Sequence, residues 1–346
     1  MPNRHESMNT VIIRAPNHLG DCLMALPALR SLIRSGAEHK IYLLAPHWSR
    51  PLFDGLPLAE FIPLSGEHLH GWKGILRQSQ LLRKYRLTHG IILPPSFSSA
   101  LAFFLGKVKN RHGFRTDRRG FLLNDGINLP TGKVFHRAAL YQSLVNHFAS
   151  QELPPAPAKL DISIGSQKKA ERLLAPSARG SRLVAIAPQA VATSRRWGAD
   201  NYRKLALRLI SECDCKVVLL GAAAEFEAGE IVAAGDSKII NLCGKTDIGS
   251  AAAVLYRCRL FIGNDSGLAH LAAAVDIPLV VLSGADNPEE TSPISDKKTV
   301  IIRDNLPCIC CVKNRCPLSD DAFMRCMKDI SVDDVFTAAK SRGFCS

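Results

Sequence analysis

Leu260-Phe261-Ile262-Gly263-Asn264-Asp265-Ser266-Gly267-Leu268-Ala269-His270-Leu271-Ala272-Ala273-Ala274, followed closely by Leu279-Val280-Val281-Leu282, is the stretch that decides how this chain is read. Its periods spell a short buried strand, a polar glycine-bearing turn, an alanine-rich helix and a second buried strand. Such a turn delivers the chain to a helix N-terminus, where unpaired backbone N–H groups and the positive end of the helix dipole receive an anion. Gly267 leaves room for a phosphate to approach the backbone. The stretch therefore reads as a phosphate-binding βαβ unit, and a plain helix cap by Asp265 or Ser266 accounts for the same residues.

Around it lies a series of the same kind. Leu183 to Ala187, Lys216 to Leu220 and Ile239-Ile240 are further strands, and the segments after Asp200, Ala224, Ser250 and Gly267 are helices. The first half repeats the alternation. Val11-Ile12-Ile13, Ile41 to Leu44 and Ile91-Ile92-Leu93 read as buried strands, while Cys22, Leu26, Leu29 and Ile33 recur at helical spacing, as do Tyr141, Leu144, Val145 and Phe148. Pro154, Pro155 and Pro157 mark a linker from Gln151 to Lys159, and Leu160 to Ile164 is expected to add one strand beyond it. The expectation is an α/β protein of two Rossmann-like domains, 1–165 and 166–346, facing each other across a cleft, with the last helix free to pack back on the first domain. No glycine-rich dinucleotide fingerprint is present. Gly244-Lys245-Thr246 imitates the end of a P-loop, but Ile239 stands where its first glycine belongs.

A chain of 346 residues with 47% hydrophobic content buries a large core and exceeds the ~250–300 residues at which single cores stop growing. No apolar run reaches the ~18 residues of a membrane span, and the first residues lack the apolar core of a signal peptide, so a soluble cytoplasmic protein is expected. Eleven cysteines in such a chain point to free thiols or a metal site before a disulfide framework. Cys308, Cys310, Cys311, Cys316 and Cys326 fall close together, but their later spacing is not that of a zinc ribbon or finger, and a structural thiol cluster is the simpler expectation.

The net charge of +13 is unevenly placed, with +11 in residues 1–150. That half faces something anionic. Nucleic acid is one candidate, yet aromatics make up only 6% of the chain and do not interleave with the basic residues as stacking platforms do. An anionic membrane surface or an acidic lipid-linked substrate fits as well. Lys73, Arg77, Arg83, Lys84 and Arg86 suit a solvated helix face, whereas Lys107, Lys109, Arg111, Arg115, Arg118 and Arg119 are denser and suit phosphate and carboxylate groups.

The first strand ends in Arg14-Ala15-Pro16-Asn17-His18-Leu19-Gly20-Asp21. A carboxylate there stands at the carboxyl edge of a sheet, where open α/β folds place their ligands, and is able to take a proton from an incoming hydroxyl. A helix cap is the plainer role for Asp21. Pro27 further along predicts a kink or a tight first turn.

Arg14 to Leu29 resembles the opening motif of the ADP-heptose:lipopolysaccharide heptosyltransferases, glycosyltransferase family nine, nearest its second-heptose branch. Gly263 to Ala274 is similar to that family's donor-binding motif. Arg115 to Leu123, the run Arg195-Arg196-Trp197 with Tyr202 and Leu205, and the terminal Cys-Pro and Cys-Met pairs follow in the same order. Two positions depart from the pattern: His18 replaces a usual Trp, and Gly198 a usual Pro.

The resemblance implies a GT-B fold and metal-independent inverting transfer of heptose from ADP-L-glycero-D-manno-heptose to the lipopolysaccharide inner core, with no cofactor required. It makes Asp21 the general base and Arg195 the cation that neutralises the leaving diphosphate. Asp265, Ser266, Gly267 and Leu268 would cradle the ADP, with His270 and Arg196 nearby and Glu225 or Glu227 accepting the ribose hydroxyls. Asn17, His18, Arg115, Arg118 and Arg119 would meet the lipid-A/inner-core acceptor. The implied setting is the cytoplasmic face of the inner membrane, held peripherally, without nucleic acid. Two rivals remain on the same residues: a nucleotide-sugar epimerase of the same architecture, and a non-catalytic basic protein binding glycan or nucleic acid.

Overall fold

The computed structural model of the protein describes residues 9–35, 39–66, 71–174, 178 and 180–345. The chain forms two compact units, Met1–Ala158 and Lys159–Ser346.

In the first unit, strand β1 (Asn9–Arg14) leads into helix α1 (Leu19–Arg34), followed by β2 (His39–Pro46), β3 (Glu60–Leu64), α2 (Gly71–Leu82), β4 (His89–Ile92), α3 (Phe97–Leu105), β5 (Asn110–Phe114), β6 (Asp125–Ile127) and α4 (Arg137–Ala149). The sheet order is β3-β2-β1-β4-β5-β6, with every pairing parallel. Parallel strands are covered on both faces, which is why Val11, Ile12, Ile13, Leu43, Leu44, Ile91 and Ile92 form unbroken apolar runs that are fully buried. Helix α1 runs unbroken through Pro27. Helix α3 begins at Ser96, whose hydroxyl accepts the Ser99 N–H.

The second unit opens with α5 (Ile164–Leu174) and continues as β7 (Arg182–Ala187), α6 (Ala199–Cys213), β8 (Cys215–Leu219), α7 (Phe226–Ala233), β9 (Ile239–Asn241), α8 (Ile248–Tyr256), β10 (Leu260–Asn264), α9 (Gly267–Ala274), β11 (Leu279–Leu282), α10 (Pro288–Thr291), β12 (Lys298–Ile301), α11 (Arg325–Lys328) and α12 (Val332–Ser341). Its sheet, β12-β11-β10-β7-β8-β9, repeats the topology of the first and is again parallel throughout. Asp247 and Ser250 start α8 with a reciprocal capping box. In each sheet the chain winds outward in both directions from two central strands, β1 and β4 in the first and β7 and β10 in the second. The switch points therefore lie beyond Arg14 and Ile92 in one unit, and beyond Ala187 and Asn264 in the other.

Two expectations from the sequence change. Leu160 to Ser163 adds no strand, and the chain enters α5 at Ile164 instead. Val335, Phe336 and Ala339 of the last helix, α12, join the core formed by Val184, Leu205, Leu209 and Val217. Cys213 at the end of α6 and Cys345 form a disulfide, where free thiols were expected. The amphipathic packing of α12 brings the chain end back to α6 and so sets the two sulfurs together.

Candidate functional site

The glycine-bearing turn falls at the switch point of the second sheet. Strand β10 passes close to β7 here: a Cβ on Gly263 would stand 2.8 Å from Phe261 Cζ and 3.1 Å from the Ala187 carbonyl oxygen. Asn264 is wholly buried, and its Oδ1 accepts from the Tyr202 hydroxyl at 3.0 Å and from the Trp197 N–H at 3.3 Å. Among the described residues its Nδ2 has no partner, nor have Ser266 Oγ and Gln189 Oε1, although all three atoms are buried. Burying an amide or hydroxyl unsatisfied costs roughly 1–3 kcal/mol each. Asn264 and Ser266 stand where β10 turns into α9, and Gln189 follows β7, the strand paired with β10, so unsatisfied polar groups gather at the two strands of the switch, where a polar ligand is expected. Ser266 occupies the cap position of α9, but neither its side chain nor that of Asp265 caps the helix, so the helix-cap alternative does not account for them. Ser266, Gly267 and Leu268 remain half-exposed while Asp265 and His270 are buried.

Charge around this turn is arranged in pairs. Burial, and after it the neighbouring Asp286 carboxylate, pushes the Asp265 carboxyl up to about 7, with Arg195 and Lys298 pulling the other way. Arg195 Nε lies 2.6 Å from Asp286 Oδ2, at an angle too poor for a directed hydrogen bond, so the contact is ionic. Arg195 sits in a single turn of 3-10 helix, Thr193–Arg195, just past β7, and remains partly open to solvent. The Nε of Arg196 donates to the Ala190 carbonyl at 2.8 Å. Glu225, past β8, accepts the Ala222 N–H at 2.7 Å and folds back on its own turn, while Glu227 opens α7. Asn264, Gln189 and Asp286 were not singled out from the sequence. Asn264 and Gln189 lie at or just beyond the ends of the switch strands β10 and β7, and Asp286 follows the neighbouring β11, so reading on past every strand terminus would have found them.

In the first unit Asp21 lies inside the first turn of α1. His18 holds the cap position and makes no side-chain cap bond. The Asp21 carboxylate accepts from Arg137, the first residue of α4, at 2.9 Å, and its side chain keeps 15% exposure. The plain cap role thus gives way to a held but accessible carboxylate beside the β1–β4 switch. Beneath it Arg14 is 1% exposed; its guanidinium donates to Asn17 Oδ1 and to the Ala15 carbonyl, and desolvation brings its pKa down to about 10. Asn17 is therefore engaged with Arg14, and His18 is exposed.

The basic segment after β5 divides in two. Arg115 and Arg118 are exposed, whereas Arg119 is 0% exposed. Arg119 donates to the carbonyls of Phe114 at 2.9 Å, Pro94 at 2.6 Å and Ser96 at 3.1 Å, tying the loop after β5 to the loop after β4. It is corrected from an acceptor-facing charge to an internal clasp, and burial lowers its pKa to about 10. Asp117 and Arg118 both hold left-handed backbone conformations, an arrangement costing about 1–2 kcal/mol per residue. Asp117 Oδ2 offsets this by accepting the Phe97 N–H at the start of α3, at 2.6 Å.

Among the described residues no set of three His, Cys, Asp or Glu side chains is placed to hold a metal ion. Burial, and after it the neighbouring Cys308, Cys311 and Cys316, raises the pKa of Cys326 to about 11.

Comparison with known proteins gives a consistent answer. The family described as glycosyltransferase family 9 (heptosyltransferase) matches residues 75–320. Lipopolysaccharide heptosyltransferase 2 of Salmonella typhimurium is 34% identical over 307 residues, covering 84% of this chain and 87% of that protein. Its Escherichia coli K12 counterpart is 33% identical with the same coverage. The solved structure of E. coli ADP-heptose lps heptosyltransferase II superposes with a TM-score of 0.79 at 28% identity, over 97% of this chain and 98% of that one. A family 9 glycosyltransferase from Veillonella parvula shares the fold, with a TM-score of 0.83 at 19% identity over 96% and 97% of the two chains. The two parallel six-stranded sheets are thus those of a GT-B protein, and the chain belongs to glycosyltransferase family 9.

Proposed function

We propose that the protein is an inverting glycosyltransferase that moves a heptose from ADP-L-glycero-D-manno-heptose to the inner core of lipopolysaccharide. Its relatives at 34% and 33% identity are heptosyltransferases, which favours transfer over the epimerase and binding-protein alternatives. The observation that carries the site reading is the set of buried polar atoms without a partner among the described residues: Asn264 Nδ2 and Ser266 Oγ where β10 turns into α9, and Gln189 Oε1 just past β7, the other strand of the switch. A nucleoside diphosphate supplies the acceptors and donors these groups lack, and the helix terminus favours its charge.

In this reading Asp265, Ser266, Gly267 and Leu268 seat the diphosphate, with His270 behind them. A carboxyl with a pKa near 7 arrives at neutral pH partly protonated, so Asp265 donates a hydrogen bond to the donor instead of repelling it. Arg195 takes up the negative charge of the leaving diphosphate. A guanidinium already fixed by Asp286 needs no reorganisation as that charge develops, and no metal ion is required of the site. Asp21, steadied by Arg137, accepts the proton of the acceptor hydroxyl as it attacks the anomeric carbon, and attack opposite the leaving group inverts that centre. Asn17, His18, Arg115 and Arg118 meet the acceptor.

Among the described residues no helix is long and apolar enough to cross a membrane. A peripheral position on the cytoplasmic face of the inner membrane follows from the lipid-linked acceptor. The test is incubation with ADP-heptose and a truncated lipopolysaccharide, with the product weighed. A mass gain of one heptose per acceptor with release of ADP supports the proposal; donor consumed without any gain in acceptor mass returns the epimerase.

A further inference from the structure

Between residues 71 and 119 the chain carries eleven Lys and Arg against a single acidic residue, Asp117, whose carboxylate is already engaged with the Phe97 N–H. Large apolar side chains stand out of the same segment: Trp72 is 60% exposed, Leu76 39% and Phe104 48%. Helix periodicity explains the sorting on α2. Ile75, Gln78, Ser79 and Leu82 are its buried side, which leaves Trp72, Lys73, Leu76 and Arg77 on the opposite face. Helix α3 packs beside α2, and the Arg83 guanidinium joins their ends by donating to the Leu105 carbonyl at 2.9 Å, next in sequence to exposed Lys84 and exposed Phe104, whose ring also carries the Arg111 guanidinium at 5.3 Å.

We propose that this α2–α3 face is the surface by which the protein lies on an anionic lipid bilayer. Trp72, Leu76 and Phe104 enter the interfacial layer, while Lys73, Arg77 and Lys84 meet acidic headgroups around them. Tryptophan suits that layer because its ring is apolar and its N–H stays wet. The basic side chains lay their methylenes along the apolar surface and keep their charges at headgroup level. A nucleic acid would use the positive charge but has no use for an exposed leucine beside it, and phosphates alone leave the three apolar side chains in water. The proposal rests on the glycosyltransferase reading only for the source of the membrane, since a lipid-linked acceptor has to be met at a bilayer. Vesicle binding is measured without donor or acceptor, so a failure here leaves the transferase reading standing, and a failed transfer assay leaves this surface standing.

The experiment is co-sedimentation of the full chain with vesicles of equal parts phosphatidylglycerol and phosphatidylethanolamine, beside vesicles of phosphatidylcholine alone. Binding to the acidic vesicles that weakens with added salt, and little binding to phosphatidylcholine, is expected. Each basic residue near an acidic surface contributes roughly fivefold in partitioning, so Lys73→Gln, Arg77→Gln and Lys84→Gln together should lower it about a hundredfold. Trp72→Ser with Leu76→Ser should also release the protein, but with the salt dependence unchanged. Lys168→Gln, Arg172→Gln and Lys204→Gln, an equal loss of charge in the other unit, should release nothing, and ADP affinity should hold in all variants as the check on folding. Absence of binding to the acidic vesicles overturns the proposal, as does equal binding to phosphatidylcholine. Equal losses from the two charge triples overturn it too, by reducing the effect to net charge. A parent protein that shifts an oligonucleotide at physiological salt while ignoring vesicles would make this a nucleic-acid surface.

Discussion

Replacing Asp265 by Asn should flatten the pH dependence of the second unit's stability. In the unfolded chain this carboxyl gives up its proton near 3.8; in the folded unit burial and Asp286 hold it until about 7. Between those values the folded state binds more protons than the unfolded one, so stability is lost as pH rises. The loss begins near the lower value and is complete just above the upper one. A gap of roughly three pKa units, at about 1.4 kcal/mol each, amounts to about 4 kcal/mol, a large share of the 5–15 kcal/mol that holds most domains. The amide of Asp265→Asn has no such proton to lose, so the variant should match the parent at low pH and exceed it above neutrality. Urea unfolding at a series of pH values from about 5 to about 9, comparing midpoints at constant slope, measures this directly. ADP affinity gives a second readout. An anion near Asp265 favours the protonated carboxyl, so the parent should bind ADP more weakly as pH rises through 7 and the variant should not. Parallel profiles for parent and variant would refute the reasoning, and a flat profile for Asp286→Asn alone would move the proton to that residue.

Asp21→Asn should leave ADP affinity intact and cut turnover by about 10²–10⁴-fold, the usual worth of positioned proton transfer, and wild-type-like kcat would end the general-base assignment. Full activity should survive treatment with EDTA, whereas Arg195→Ala should fail chiefly in kcat; recovery of a chelated enzyme on adding Mg²⁺ would show that a cation and not Arg195 takes the charge. Arg115→Ala with Arg118→Ala should raise the acceptor KM and its salt sensitivity with donor affinity unchanged, and steady-state kinetics at two salt concentrations decide it. Arg119→Ala should instead destabilise the first unit by about 1–3 kcal/mol by leaving three carbonyls short of a donor; a wild-type melting temperature with a raised acceptor KM would return Arg119 to the surface.

The parts of the fold that could be read from sequence were those whose environment is uniform. Central parallel strands such as β1, β7 and β10 are buried on both faces and so are apolar without interruption, and the helix after Gly267 announces itself through alanines. Edge strands lack that signature. In β3 Pro63 interrupts the run and β6 is three residues around Gly126, and β5 beside that edge reads Asn-Arg-His-Gly-Phe, so their pairing is supplied by neighbours already in place. The site divides along the same line. Asp21 and the Asp265 turn are contiguous with their elements and visible as such. Arg119 is different: its burial depends on carbonyls from the loops after two strands, and a run of arginines gives no sign of which one turns inward. Asp286 takes its meaning from Arg195, and Cys213 from a cysteine 132 residues away. Pairings of that kind are properties of the folded chain.

Arg14 and Arg119 share one further property. Among the described residues both are surrounded by carbonyl and amide oxygens with no carboxylate against the guanidinium, both keep their charge at any ordinary pH, and both stand at the carboxyl edge of the first sheet. Surface lysines and arginines lend a field that electrolyte erases within ~8–10 Å; charges walled off from water are screened far less. The carboxyl edge of the first sheet, where β1 and the loops after β4 and β5 end, is therefore expected to keep a positive potential independent of the outer arginines. An anionic acceptor should feel an attraction there that persists at ionic strengths where the rest of the basic face has gone quiet.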